Sequence, residues 1–479
     1  MTTRRDFLRT TALASAGLAL SGIASKASAA VNQTAQSYNR IVGAGNKVNV
    51  AFVGIGNRGL EVLNEFVKTG MVNVVALCDV DLGPKHTEKA VADHPKAKTF
   101  KDFRVMFDKA GKDFDAVVVS TPDHSHFPIC MLALKSGKHV YVEKPLTRTF
   151  YESELLIEAS LKYPNVVTQM GNQGHSEANY FQFKAWKEAG IIKDVTKITA
   201  HMNNPRRWHG WDPKITKFPD KEPIPSTLDW DTWLSAVPYH DYNKDFHMGQ
   251  WRCWYDFGMG ALGDWGAHII DTAHEFLELG LPEEVNPVKL SGWNQYFFPM
   301  SSTIEFKFPK RKKMPPVTIT WYDGLDNIPQ VPAGFGEVEL DPNIPSVAGQ
   351  AIQPAKLNPG KEIYSKNLTF KGGSHGSTLS IIPDEKAKEM EKKLPEVPKS
   401  PSNHFENFIL GCLGKEKTRS PFHISGPLSQ VFCLGVIAQQ TNTKITFDRK
   451  TKQITNDPFA NALLAGVPPR KEWAEFYKI

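Results

Sequence analysis

The sequence predicts an α/β fold: a parallel sheet wound between helices, then a second α/β domain whose strands gather into an antiparallel or mixed sheet. Three observations predict it. Between residues 47 and 172, short β-branched runs alternate with helical patterns, which is the mark of βαβ units. After about residue 175, strand-like runs follow one another with few helices between them, as in sheets built from hairpins. The length, 479 residues, exceeds what a single core ordinarily fills.

Taken in order, residues 1–30 read as a leader. Arg4, Arg5 and Arg9 precede a moderately apolar stretch and an Ala-Ser-Ala at 27–29, a basic start and a small-residue cleavage pattern. The apolar stretch is too short for a stable membrane helix. "TRRDFL" (Thr3–Leu8) resembles the twin-arginine export signal, whose machinery carries folded proteins, so the expected location is the periplasm, with no stable membrane anchor. Residues 31–46 are small and polar, a linker. "VNVAFVG" from Val48 is a buried strand, with a helix over Arg58–Lys68. Further strands are expected at "VNVVALCD" (ending at Asp79), "FDAVVVSTP", "KHVYVEKP" and "NVVTQMGNQ", with helices over Pro128–Ser136 and Tyr151–Leu161. The first domain therefore spans 47–172 and the second 173–479. In the second, a helix runs to about Glu188, and strands are expected at "VTKITAHMN", "VKLSGWNQYFF", "STIEFKF", "VTITWYD", "NLTFKG", "TLSII" and "KITFD". One helix is expected over Ala261–Leu279, and two more around "HFENFILGCL" and "LSQVFCLGVIAQQT".

Composition excludes several function classes. The net charge of +6 comes in part from the leader and from a cluster at Lys310–Lys313. That cluster sits between two alternating runs like a solvated hairpin tip, so no nucleic-acid partner is expected. The 5 cysteines include no CxxC pair, and neither zinc nor redox chemistry is indicated. Cys78, Cys130 and Cys433 lie in apolar runs and read as core.

The chemistry begins at Gly54-Ile55-Gly56-Asn57-Arg58-Gly59. This GxGxxG follows a strand, opens a helix, and is followed by Asp79 at the end of the next strand, the context the dinucleotide fingerprint requires. Gly54 permits the tight turn, Gly56 lets the backbone approach a pyrophosphate, and Gly59 lets the helix pack close. Asp79 would accept hydrogen bonds from the ribose hydroxyls and repel a 2′-phosphate, and Val80 offers no compensating cation. The expected cofactor is NAD in a Rossmann domain.

The stretch "STPDHSHFPICMLALKSGKHVYVEKPL" (Ser120–Leu146), with "MGNQGH", "GALGDWGAHIID" and the closing "TNDPFANALLAGVPPRKEW", resembles the Gfo/Idh/MocA family of sugar and inositol oxidoreductases. The resemblance implies a Rossmann domain followed by an α/β domain with a large, open, mostly antiparallel sheet. It implies that Ser120, Thr121, Pro122, Asp123 and His126 line the cofactor, that Glu143 and Lys144 sit beside the nicotinamide ribose, and that Asn172 and Gln173 adjoin it. Pro145 ends its strand, and a cis Lys144–Pro145 bond is expected, turning Lys144 into the cleft. By the same resemblance Asp264 and His268 match an Asp-x-x-x-His pair, completed by Lys144. Their i, i+4 spacing puts both on one helix face. The two Asp and two His of this region could hold a metal, but the family reading calls for none. His268 is the expected base, Asp264 its orienting partner, and Lys144 the cation beside the developing alkoxide. The glycines around Asp264 point to close backbone approach. The family also implies pairing of copies through the second domain's sheet, a homo-oligomer.

Trp208, Trp251 and Trp254, with Arg206, Arg207 and His175, are the expected carbohydrate contacts: aromatic faces stack on C–H surfaces, and fixed donors meet hydroxyls. An exported NAD enzyme finds no free cofactor outside the cytoplasm, so its NAD should be tightly bound and recycled in place. Three activities fit: oxidation of a sugar hydroxyl; a redox-neutral hydrolase or lyase working through a transient keto-sugar; and non-catalytic sugar binding with structural NAD. The NAD-dependent α-N-acetylgalactosaminidases of the family belong to the second kind, but their "THGLGP"-like stretch is missing and "GDWGAHIID" stands at the corresponding place.

Overall fold

A computed structural model of the chain describes residues 47–83, 85–202, 214–247, 249–324, 327–336 and 357–479. The expected leader (1–30) and linker (31–46) lie outside the described residues, as do Arg206, Arg207 and Trp208.

The first domain is built from β1 (Val48–Val53), α1 (Arg58–Lys68), β2 (Val72–Cys78), α2 (Lys85–Asp93), β3 (Lys98–Phe100), α3 (Phe103–Ala110), β4 (Ala116–Val119), α4 (His126–Lys135), β5 (His139–Val142), α5 (Phe150–Lys162) and β6 (Thr168–Met170). The strands form a parallel sheet in the order β3-β2-β1-β4-β5-β6. β4 and β5 are buried along their whole length, as expected of strands covered by helices on both faces. The order reverses between β1 and β4, so the loops that follow these two strands diverge at their carboxyl ends and leave the crevice where such sheets bind ligands.

The second domain contains α6 (Ala178–Glu188), β7 (Val195–Met202), α7 (Trp230–Leu234), α8 (Gly260–Ile269), α9 (Asp271–Phe276), β8 (Glu284–Ser291), β9 (Ser301–Phe308), β10 (Val317–Asp323), β11 (Gly360–Ser365), β12 (Thr369–Gly373), β13 (Ser380–Ile382), α10 (Asp384–Met390), α11 (His404–Cys412), α12 (Phe422–Thr441), β14 (Ile445–Asp448), β15 (Gln453–Ile454) and α13 (Pro458–Leu463). Nine strands form one sheet, β13-β12-β11-β7-β10-β9-β8-β14-β15. Every pairing is antiparallel except β7 with β10. The sequence-based fold class therefore holds.

Three local expectations need correction. The strand expected at "VKLSGWNQYFF" ends at Ser291, and Gly292 turns the chain with φ +67°. The single helix expected over Ala261–Leu279 is two, separated at Ile270. The basic hairpin tip between β9 and β10 is not wholly solvated. Arg311 is buried, and its guanidinium donates to the carbonyls of Leu277, Pro309 and Pro315, so it organises the turn from within.

The two domains share packing. α12 runs between them, buried over most of its surface, against α5 on one side and α8 and β8 on the other. α11 returns to the first sheet: Phe405 and Phe408 close on Phe66 of α1 and Tyr141 of β5, with edge-on ring contacts except for the tilted Phe405–Tyr141 pair. All 5 cysteines are buried and none is in a disulfide, consistent with packing roles. No helix among the described residues is long and apolar enough to cross a membrane.

Candidate active site

The GxGxxG turn behaves as its spacing requires. Gly54 adopts φ +79°, and a Cβ there would meet the Ser120 carbonyl carbon at 2.7 Å. A Cβ on Gly59 would meet the Gly54 carbonyl oxygen at 2.0 Å, so this glycine seats α1 against the turn. Asn57 takes φ 44° to open the helix. Asp79 accepts hydrogen bonds from the Ile55 amide (2.9 Å) and the Asp81 amide (3.0 Å). Burial raises its carboxyl from the usual value, and those two amides oppose the rise.

Gly54, Gly56, Asn57 and Asp79 line one cleft of about 730 Å³ that also holds Arg58, Ser120, Thr121, Pro122, Asp123, Glu143, Lys144, Gln173, Asp264 and His268, while Gly59 sits behind its wall. The hydroxyls of Ser120 and Thr121 are buried there without a partner among the described residues. Orphaned donors beside a glycine turn suit a bound dinucleotide, because an unpaired buried polar group is costly. The residues present therefore fit NAD.

At the cleft's centre, the Lys144–Pro145 peptide is cis, as expected. Lys144 Nζ donates to Asp264 Oδ1 at 2.8 Å and to the Asp264 carbonyl at 2.9 Å. Burial lowers the Lys144 pKa, and the facing Asp264 carboxylate resists that fall. Glu143 is held by Arg58 at 3.5 Å and by the Tyr141 hydroxyl at 3.4 Å. His268 is buried, and its Nδ1 has no hydrogen-bond partner among the described residues. Its pKa falls well below the usual value through burial first, then through the neighbouring His375 and Lys144. The imidazole is thus held neutral. Asp264, expected to orient this ring, makes no hydrogen bond to Nδ1 and holds Lys144 through its carboxylate.

The structure moves several expected residues out of the cleft wall. His126 is buried behind it, between the carbonyls of Pro145 (2.8 Å) and Thr121 (2.9 Å), tying the two loops together. Asn172 is fully buried and accepts from Ser420 Oγ. His175, expected to contact carbohydrate, instead sits between Asp271 (2.9 Å) and Glu275 (2.6 Å), which push its pKa up to about 9 against burial. Trp254 packs among Phe218, Phe246 and Phe297, its indole donating to the Asp245 carbonyl. Trp251 does face the cleft, with the Arg252 guanidinium 4.1 Å from its ring. The glycines near Asp264 approach protein rather than ligand: a Cβ on Gly266 would lie 2.7 Å from the Phe432 ring, and one on Gly258 would lie 2.6 Å from Arg252 Cα.

Sequence reasoning missed His375. The β12–β13 turn carries it into the cleft, where its ring stacks on His268 at 3.9 Å and 17°. Its amide donates to the His268 carbonyl at 2.9 Å. The "GGSHGS" turn, with φ 49° at His375, was the available signal. Among the described residues no group of three or more His, Cys, Asp or Glu could hold a metal ion.

Comparison with known proteins follows the same division. Residues 48–170 match the family described as "Oxidoreductase family, NAD-binding Rossmann fold". Residues 183–291 match its "C-terminal alpha/beta domain". An alpha-N-acetylgalactosaminidase of Shewanella oneidensis is 31% identical over 217 residues, 43% of this chain and 47% of that protein. The matched part spans less than half the length of such curated relatives. Among solved structures, the WlbA dehydrogenase from Chromobactrium violaceum in complex with NADH and UDP-GlcNAcA is similar with TM-score 0.55 at 14% identity, over 85% of this chain and 97% of the other. The aldose-aldose oxidoreductase from Caulobacter crescentus gives TM-score 0.53 at 14% identity, over 84% of this chain and 100% of the other. At such identities these structures share the fold. The NAD-binding model and its C-terminal partner, matched in succession along one chain, support placing this protein in the Gfo/Idh/MocA oxidoreductase family, with NAD as its cofactor.

Proposed function

We propose that the protein oxidises a hydroxyl of a carbohydrate, using NAD that stays bound and is recycled in place. One observation carries this: Lys144, Asp264 and a neutral His268 converge in the same cleft as the dinucleotide fingerprint. NAD, when bound, supplies the hydride acceptor. The remaining work falls to the protein. His268, kept neutral by burial, takes the hydroxyl proton. The Lys144 ammonium, fixed by Asp264, stabilises the alkoxide that develops. Trp251 and Arg252 offer an apolar face and a donor fork to a sugar ring. The names of the similar proteins, a WlbA dehydrogenase with a bound UDP-sugar acid and an aldose-aldose oxidoreductase, agree with carbohydrate chemistry. The second of these also agrees with recycling between two sugars.

The curated relatives favour a second reading. Glycosidases at about 31% identity point to redox-neutral cleavage: the same oxidation acidifies a neighbouring C–H, the glycosidic bond breaks by elimination, water adds, and the hydride returns. Mass spectrometry of products from a panel of glycosides separates the two. A keto-sugar is the expected result. A free aglycone with no net oxidation would establish the second reading, and no product would leave sugar binding. The reading includes export in the folded state through the twin-arginine signal at Thr3–Leu8.

A further inference from the structure

We infer that the segment from Thr227 to His247, with Trp233 at its centre, forms the outer wall of the adenosine half of the cofactor site. By sequence this segment belongs to the second domain, yet it is fastened to the first. Leu228 bridges antiparallel to Asp81, and the Asp229 amide donates to the Val80 carbonyl at 2.8 Å. Val80 directly follows Asp79, the carboxylate placed for ribose hydroxyls. Lys101 Nζ donates to the Thr227 carbonyl at 2.7 Å. On the other side, His124 Nε2 donates to the Trp233 carbonyl at 2.7 Å, with the two rings 4.7 Å apart. His124 lies two residues beyond Pro122. The helix α7 therefore spans from the loop after β2 to the loop after β4, and an adenosine in a doubly wound sheet lies between those loops.

Trp233, Thr232 and His247 line the same cleft as Gly54 and Asp79. The Trp233 ring is backed by Trp230, stacked at 4.5 Å and 15°, and by Phe257, edge-on at 5.0 Å. It is held rigidly with little exposed surface, a fixed apolar wall rather than a mobile surface ring. Arg470 locks the segment from outside: its Nη2 donates to the Asp231 carbonyl at 2.8 Å and its Nε to the Ser235 carbonyl at 3.0 Å. Arg470 does not line the cleft, so it acts on the cofactor only through α7.

The wall concerns cofactor retention and is independent of the carbohydrate reading. It is tested on the full-length protein loaded with NADH and chased with excess NAD, following release by fluorescence. Trp233→Leu and Arg470→Met should each speed release about ten-fold, the scale of one lost base–aromatic contact. Affinity for ADP should fall by a similar factor, and affinity for nicotinamide mononucleotide should stay unchanged. Wild-type release from Trp233→Leu, or equal loss for both fragments, would overturn the wall. If Trp233→Leu does not fold, Arg470→Met decides, and release at the wild-type rate overturns it. Wild-type protein that took up no NADH would instead sink the cofactor assignment.

Discussion

Lys144 and His268 were legible because each sits in a short motif whose local geometry the chain cannot escape: a strand end before proline, and two helix positions one turn apart. Their roles are separable. Lys144→Ala and His268→Ala should each keep bound cofactor yet lower kcat about 10²–10⁴-fold, the usual scale for a proton-transfer or charge-stabilising group; unchanged turnover would remove that residue from the mechanism. What no short motif could tell was layer. His126, Asn172 and His175 are all near the site in sequence, but each ring or amide is spent on partners one layer back. His375 arrives from a hairpin distant in sequence, so only the fold reveals it. Its stacked imidazole lowers the His268 pKa, as do burial and Lys144, while Asp264 raises it and Arg58 lowers it slightly. A base works when neutral, so activity appears as pH rises through its pKa. His375→Phe keeps a ring against His268 and removes the charge, so the His268 pKa should rise. The acid limb of kcat/KM should therefore move to higher pH. An acid limb at the wild-type position would show that His375 is packing alone.

At the level of elements, the βαβ rhythm made β1, α1, β2, β4 and β5 readable. β3 and α3 were missed, and β11 was lost inside an irregular stretch, since "GKEIYS" opens on Gly-Lys-Glu and carries no apolar alternation (Lys361 and Glu362 are nonetheless buried). Two elements show how junctions are held. α1 rests on the turn before it only because Gly59 has no side chain, with the Gly54 oxygen 2.0 Å from where a Cβ would stand. Gly59→Ala should lift the helix, destabilise the protein by about 1–3 kcal/mol in urea unfolding, and weaken NADH binding in titration. The second junction ties α9 to the turn before α6 through His175, between Asp271 and Glu275. Its folded pKa, about 9, lies above the ordinary histidine value. The stabilisation it brings is therefore complete below about pH 6.5 and is lost as pH rises through about 9. Unfolding free energy should drop by roughly 3 kcal/mol from pH 6 to pH 10 through this group. The His175→Gln variant should show a flatter profile over that window; an equally steep one would place the pH dependence elsewhere.

Across the whole molecule, the arrangement of the two domains bears on where the cofactor can go. The fingerprint loops, the Lys144–Asp264 pair and His375 come from both domains and meet in one cleft, while α12 and α11 pack against the first domain through two separate apolar clusters. A dinucleotide seated there would touch elements of both domains. The export signal we propose at "TRRDFL" would send the chain along a route that moves folded proteins. A chain folded before export can carry its NAD along, and one that exchanged NAD freely would be useless where none is supplied. The two features are thus consistent only if cofactor is retained through purification. Protein made without added nucleotide should release close to one equivalent of NAD or NADH per chain on heat denaturation, measured by absorbance and enzymatic cycling. Mutating Arg4 and Arg5 to lysine should keep the same loaded protein in the cytoplasm. Empty protein from either compartment would break the link between export and recycling, and the enzyme would then need a fresh supply of NAD for its turnover.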